Sequence, residues 1–302
     1  MTIERAAQRT VGKPWGRTDL RPWSMLGQEA TPTGEIWFER SLVDASEPAL
    51  LIKLLFTSAA LSIQVHPDDR FARSIGLPHG KSEAWYVLSA TPGARVALGL
   101  HHAIDAIHLR RAIADGSIVT IVDWRSVQAG DFLAVPAGTI HAIGANLVIA
   151  EIQQRSDATF RLFDFDRHRE LQIDCGMAAS HAAPAEPQPR PSRLSASRML
   201  LAADPHFIVE KIDLLPMSVW RLEASQETWL LVIGGGARLG ELAVVPGEAV
   251  FLDAEVVDVQ AGAEGLQALV AYPGPTLASE LLEGVAAGDL DAGLVRLAGA
   301  AS

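Results

Sequence analysis

The chain has 302 residues, a net charge of −11, 49% hydrophobic residues and one cysteine. That acidity argues against nucleic acid or an anionic membrane surface as a partner, and the length allows about two domains with buried cores. A lone thiol, Cys175, excludes an internal disulfide framework and fits a reducing cytoplasm; no apolar run of the roughly 18 residues needed to span a membrane occurs, and no signal peptide is expected.

In chain order, Lys13-Pro14-Trp15-Gly16 reads as a turn, followed by an irregular stretch to Gly34. Gly34 to Ser41 reads as a strand, and Leu50 to Ser58 as a fully buried one. Lys53 lies inside that second run, either snorkelling from a strand end or placed for function. Asp68 to Ile75 reads as a short helix, and Glu83 opens a β run to Leu88. Ala90 to Leu100 reads as a turn and a strand. His101 to Asp115 has helical spacing, with Gly116 as its C-cap, and a short helix or loop covers Ser117 to Val127. Residues 130–146 read as strand, tight turn, strand: Pro136 ends one ladder and Gly138 gives the turn its backbone freedom. Residues 147–153 form a strand with Glu151 and Gln153 on one face, and Arg161 lies in a further strand-like segment. His181 to Arg193 carries Pro184, Pro187, Pro189 and Pro191 and is a linker in composition. A second β-rich unit follows, and Leu277 to Leu297 reads as a terminal helix.

A lone histidine after a turn, such as His141, is more often structural, so a role in chemistry depends on further donors. Gln64 and His66 supply two: they stand two apart in the apolar run Leu61 to Val65, which puts both on one face of a strand. Glu83 opens the next β run. Two imidazoles, a carboxylate and an amide oxygen suit Zn²⁺ or another borderline divalent ion with one position left open. Two histidines and a carboxylate also hold Fe(II), so donor type leaves the metal open. The spacing Gly130-x5-Pro136-x-Gly138-x2-His141 resembles the second cupin motif, in which that histidine is a metal ligand.

The second half repeats the first without the histidines. Glu83-Ala84-Trp85 aligns with Glu227-Thr228-Trp229, and Gly130 with Gly247; in that register Pro136, Gly138 and His141 become Asp253, Glu255 and Asp258. The longer spacing in the first copy is filled by the helical insertion His101 to Val127. The expected architecture is mainly β: two cupin, jelly-roll-like barrels, a small helical insertion in the first and a helical C-terminal tail. Residues 1–180 form the metal-binding barrel, 181–198 the Pro-rich linker, and 199–302 the degenerate barrel with its tail.

Over most of residues 13–173 the chain resembles type I mannose-6-phosphate isomerases of the short bacterial form, through KPWG, GEIWFE, LIKLL, LSIQVHPDD, GKSEAWYVL, GDFLAVPAGTIHAIG and EIQQRSDATFRLFDFDR. The second half matches loosely, and the helical domain of larger members has no counterpart. The resemblance implies a cytoplasmic enzyme that interconverts mannose 6-phosphate and fructose 6-phosphate through a cis-enediol, with one Zn²⁺ per chain held by Gln64, His66, Glu83 and His141. It implies that Lys81 and Arg161 line the sugar-phosphate pocket with Lys53 and Ser62 close by, and that Glu151 is a further acidic pocket residue. Lys81 or a metal-bound water then moves the proton, Arg161 stabilises the enediolate or phosphate, and Glu151 orients them. The partner is a small sugar phosphate. The competing readings are another cupin metalloenzyme, such as a different sugar-phosphate isomerase or an Fe-dependent dioxygenase, and a non-catalytic sugar-binding bicupin.

Overall fold

The computed structural model describes residues 2–26, 31–41 and 47–285. Two compact units divide the chain: a larger one of Ala7–Glu39 and Asp44–Arg190, and a smaller one of Met1–Ala6, Arg40–Val43 and Pro191–Ser302.

The larger unit is built on two antiparallel sheets. Six strands run in the order Ala7–Arg17, Thr33–Glu39, Leu50–Phe56, Leu147–Gln154, Glu83–Ala90, Phe132–Val135. Five more run Phe160–Phe163, Ile63–Val65, His141–Ile143, Arg95–Leu100, Val122–Ser126. Leu55, Trp85, Val87, Leu133 and Ile149 of the first sheet share one apolar cluster with Val96, Leu98 and Ile143 of the second, so the inner faces pack on each other. On its other face the five-stranded sheet puts Ile63, Val65, Ala97, Ala142 and Leu162 against Leu109, Ala112, Ile113 and Ile118. Those last four come from the expected insertion, whose helix spans Ala106–Ala114. Asp105 caps it by accepting from the His108 amide at 2.8 Å, which is why it starts later than the apolar spacing alone indicates. Gly116 follows it at φ +77°, as a C-terminal glycine should. The KPWG stretch differs from expectation: it lies within the irregular end of the Ala7–Arg17 strand, where pairing with Thr33 slips between Gly12 and Arg17.

Residues 181–190 are not a free linker. The His181 amide donates to the Gly138 carbonyl at 2.8 Å, and Leu100 and Ile104 donate to Ala183 and Ala182 at 3.0 and 2.9 Å. The Gln188 amide closes on Ala134 from both sides, accepting at 2.7 Å and donating at 3.1 Å, as a neighbouring strand would. Prolines donate nothing to a ladder, so the segment binds through the His181 amide, its carbonyls and one side-chain amide, a pattern that composition does not reveal. The expected boundaries shift accordingly, since the larger unit runs on to Arg190 and residues 2–5 pair with Val250–Asp253 in the smaller unit.

The smaller unit is a ten-stranded antiparallel assembly whose Thr228–Leu239 and Glu255–Pro273 strands pair along most of their length. The internal repeat is real in its local chemistry. The Trp85 indole donates to Glu83 at 3.0 Å and the Trp229 indole to Glu227 at 3.1 Å. The Gly130 and Gly247 amides donate to the carbonyls of Val87 and Val232 on the strands they follow, at 2.8 and 2.9 Å, and the next residue closes the turn in each copy. The faces, however, are exchanged. Trp85 belongs to the cluster between the sheets, whereas Leu230 and Val232 of the corresponding strand enter the smaller unit's apolar cluster and Trp229, buried to 1% exposure, packs edge-on against Phe251 instead. With a side-chain period of two, a one-residue offset is enough for that. At one end of this core Arg198 forks onto Glu210 at 2.8 and 2.9 Å, and Tyr272 donates to the same carboxylate at 2.7 Å.

The expected C-terminal helix is not present in the described residues. Leu277–Leu281 turns, and Leu282–Gly284 is a strand paired with Val219–Ala224; residues 286–297 of that expectation lie outside the described residues.

Gly99 tests the strap. At φ +69°, a Cβ there would stand 2.1 Å from the Ala185 amide nitrogen. Gly99→Ala is expected to destabilise the protein by about 2–4 kcal/mol through overpacking and strain, read as a lower denaturant midpoint at unchanged m. An unchanged midpoint would mean the strap is not seated on Gly99.

Candidate metal centre and pocket

The register places the candidate ligands. Gln64 stands opposite both His141 and Arg161 across the five-stranded sheet, so the three share a face, and His66 and Ser62 follow on it by the period of two. Glu83 comes from the facing sheet, opposite Gln153 and Val135. Lys53 and Glu151 form a directly opposed pair in that same sheet, with Trp37 on the other side of Lys53.

His66, Glu83 and His141 converge, with one ligand atom from each lying within 4.8 Å of the others. All three are nearly inaccessible to solvent, at 1–2% exposure. Each imidazole is oriented through Nδ1, which meets the Ala158 carbonyl at 2.8 Å in His66 and the Thr139 carbonyl at 2.9 Å in His141. The carbonyl partners put the protons on Nδ1, which leaves both Nε2 lone pairs facing Glu83 at 3.4 and 3.5 Å. Those separations suit donors sharing one tetrahedral divalent ion, about 3.4 Å apart for ligand bonds of about 2.1 Å. Gln64 adjoins them: its Nε2 lies 3.3 Å from His141 Nε2, and its Oε1 accepts from Ser62 at 2.9 Å. A half-turn of the amide, an assignment fixed only by hydrogen bonding, aims the oxygen at the same point. The residues present therefore fit a bound metal.

The turn Pro136–Thr139 ties these ligands together. The Gly138 amide donates to the His66 carbonyl at 2.8 Å, and the Ala137 amide to the Ser82 hydroxyl, beside Glu83, at 3.2 Å.

Lys81 enters the cluster from the side. Its ammonium donates to Glu83 Oε2 at 2.5 Å and meets His66 Nε2 at 2.9 Å, where it neutralises a carboxylate that has no other cation as close. Burial alone would lower the Lys81 pKa, but Glu83 and then Glu151 hold it above the ordinary value. Burial would likewise raise Glu83, yet Lys81 and His66 keep it well below the carboxylate range. His66 is pushed down to about 4, first by burial and then by Lys81, and burial lowers His141 as well. Both imidazoles thus stay neutral at physiological pH, the state that ligates metal.

A pocket opens beside the cluster. Lys13, Lys53, Lys81, Arg161 and Arg169 line it, against the carboxylates of Glu35, Glu151 and Asp157. Ser62 and Gln64 are on its wall, so six of the nine residues singled out in the sequence line this pocket, and the other three, His66, Glu83 and His141, form the cluster beside it. Lys53 pairs with Glu151 at 3.2 Å and lies 4.5 Å over the Trp37 ring, which accounts for a lysine buried to 3% exposure in mid-strand. Sequence reasoning did not single out Lys13, Glu35, Asp157 or Arg169. Lys13 and Glu35 stand inside two of the family motifs, but the 3.1 Å pair they make is visible only in the fold.

No protein-family model matches the chain. A mannose-6-phosphate isomerase from Streptococcus mutans is 43% identical over 143 residues, which is 46% of this chain and 45% of that protein. A probable mannose-6-phosphate isomerase of Bacillus subtilis, GmuF, is 40% identical over 119 residues, 39% of this chain and 38% of the relative. The matched stretch thus spans less than half the length of these curated relatives. Among solved structures, a mannose 6-phosphate isomerase from Bacillus subtilis superposes with a TM-score of 0.78 at 23% identity, covering 90% of this chain and all of that one. A phosphomannose isomerase mutant from Salmonella typhimurium does so at 0.71 and 15% identity, with 90% of this chain covered. The fold is that of the mannose-6-phosphate isomerases. It extends over 90% of the chain, whereas the curated relatives match 46% and 39% of it in sequence.

The buried imidazoles set a pH dependence. His66 has a folded pKa of about 4 against an ordinary 6.5, so its contribution is fully present above pH 6.5 and is lost as pH falls toward 4. For chelator-treated protein this amounts to a loss on the order of 3 kcal/mol between pH 7 and pH 4, read by urea unfolding at each pH. A flat profile would mean that His66 is not buried neutral.

Proposed function

We propose that the protein interconverts mannose 6-phosphate and fructose 6-phosphate through a cis-enediol, using one Zn²⁺ held by Gln64, His66, Glu83 and His141. The observation that carries this is a buried two-histidine, one-carboxylate cluster opening directly into a pocket with five cationic side chains and three carboxylates. A cation-rich pocket in a chain of net charge −11 argues for a small anionic substrate. The matched relatives carry this activity in their names. The single free, exposed Cys175 and the lack of any described helix long and apolar enough to cross a membrane accord with a cytoplasmic enzyme of carbohydrate metabolism.

When bound, the ion supplies Lewis-acid polarisation of the sugar carbonyl and steadies the charge that develops on its oxygen. The protein supplies the rest. His66 and His141 stay neutral and pre-oriented by their backbone partners, so no reorganisation is required on ligation. Lys81 is the group placed to carry the proton between C1 and C2. Its raised affinity for that proton comes first from Glu83 and then from Glu151, so with Glu83 serving as a ligand the burial of Nζ would meet less opposition and would lower it toward the range a general base needs. Glu151 steadies Lys53 and, through its charge, Lys81. Arg161, fully charged at any working pH, faces developing negative charge rather than taking a proton. Ser62 holds the Gln64 amide in place.

A coupled assay of mannose 6-phosphate conversion tests this. Activity is expected to disappear on chelation and return with Zn²⁺. Return with Fe(II) alone would transfer the site to the other metal its donors accept, and inactive metal-loaded protein would favour a different cupin reaction. Lys81→Met is expected to lower kcat by about 10²-fold or more while leaving the chelation response intact. Near-normal turnover of that variant would remove Lys81 from proton transfer.

A further inference from the structure

We propose that Arg169, aimed by Asp164, binds the phosphate of the substrate at the end of the pocket away from the metal cluster. The inference deepens the isomerase reading and rests on it for the identity of the anion.

Of the five cations on the pocket wall, the three lysines are each committed to a carboxylate: Lys13 to Glu35 at 3.1 Å, Lys53 to Glu151 at 3.2 Å and Lys81 to Glu83 at 2.5 Å. The two guanidiniums differ. Arg169 is locked by Nε and Nη2 onto the two oxygens of Asp164, at 2.7 and 2.5 Å, and no described group accepts from Nη1. Arg161 makes two long contacts through its Nη1, at 3.5 Å to the Glu170 carbonyl and the Gln172 amide oxygen. Both therefore line the pocket with N–H groups to spare, on a wall that a tetrahedral, multiply charged oxyanion would complement.

Asp164 is buried to 5% exposure and also receives Arg167 at 2.8 Å. Arg167 in turn donates to the Ala60 carbonyl at 2.7 Å, which pins this loop beside residues 60–62. That location sets the direction. Ala60 stands before Ser62, Gln64 and His66 in the chain, so the loop is anchored at the Ser62 end of that run, the end remote from His66. A substrate with its reacting carbons at the metal and its charge several bonds away would span that interval. The loop holds this arrangement at a cost: Phe165, Asp166 and His168 all take left-handed backbone conformations, φ 49°, 59° and 57°. Three non-glycine residues in that region are strained, and strain of this kind persists where the surroundings over-determine the conformation. Here the surroundings are the paired arginines on Asp164.

The test is calorimetric titration of inorganic phosphate into the metal-loaded protein, beside steady-state kinetics with mannose 6-phosphate. Arg169→Ala is expected to weaken phosphate binding at least ten-fold and to raise KM by a similar factor, with much less loss in kcat. Asp164→Asn leaves Arg169 present but unaimed, so it is expected to weaken phosphate binding several-fold, again in KM rather than kcat. Should Arg169→Ala not fold, Arg169→Lys keeps the charge without the fork and should give an intermediate loss. Unchanged phosphate affinity in Arg169→Ala, or in Arg169→Lys where only that variant folds, would overturn the proposal, as would a loss confined to kcat. Arg169-dependent phosphate binding by a protein that does not isomerise mannose 6-phosphate would uphold this site and sink the isomerase reading instead.

Discussion

Glu83 is a carboxylate with 2% exposure, and a charge so deeply removed from water has to be matched where it lies. Everything around it does so. Lys81 donates to one oxygen, the Trp85 indole to the other, and two imidazoles direct their Nε2 lone pairs toward the same space. The match is incomplete in one respect, because lone pairs and a carboxylate attract a cation more strongly than a single shared ammonium can satisfy. That imbalance, with imidazoles that burial holds neutral, is what suits the cluster to a metal ion.

The scaffold supports that imbalance from several directions. His141 sits directly after the Pro136–Thr139 turn, which hydrogen-bonds to the backbone of His66 and to the residue beside Glu83, so the three ligands move as one body. On its outer side the turn is braced by the 181–188 segment, whose His181 amide bonds to Gly138. The helices Ala106–Ala114 and Ile118–Ile121 stiffen the far face of the sheet that carries Gln64, His66 and His141. Rigid elements thus locate the candidate ligands, and a strained loop, around Phe165, carries the arginine of the proposed anion site. This division fits a site that needs fixed metal geometry at one end and charge recognition at the other.

The smaller unit makes the complementary point. It repeats the turns and the Glu-x-Trp hydrogen bond of the larger one, yet its most deeply buried carboxylate, Glu210, is met by Arg198 and Tyr272. A buried Glu210 with a bidentate arginine leaves no unmet demand for a cation. The same β architecture therefore holds either a metal-ready cluster or a closed ion pair, according to whether the buried carboxylate meets lone pairs or a guanidinium.

What the sequence determined by itself is whatever depends on short-range spacing. Gln64 and His66 two apart on a strand, Gly138 in its turn, the buried Leu50–Phe56 run, the Asp68 helix start and the donor types of the cluster follow from backbone periodicity and residue chemistry. Those rules act over a few residues and leave visible patterns. The tertiary structure decided what depends on which segments meet. It brought Glu83 from one sheet to the histidines of the other, turned a Pro-rich stretch into a strap, and sent Leu230 and Val232 rather than Trp229 into the smaller unit's apolar cluster. It also drew Lys13, Glu35, Asp157 and Arg169 to one pocket. No local pattern encodes such juxtapositions, because the free energy that selects them comes from burying one sheet face against another, and that partner lies tens of residues away in the chain.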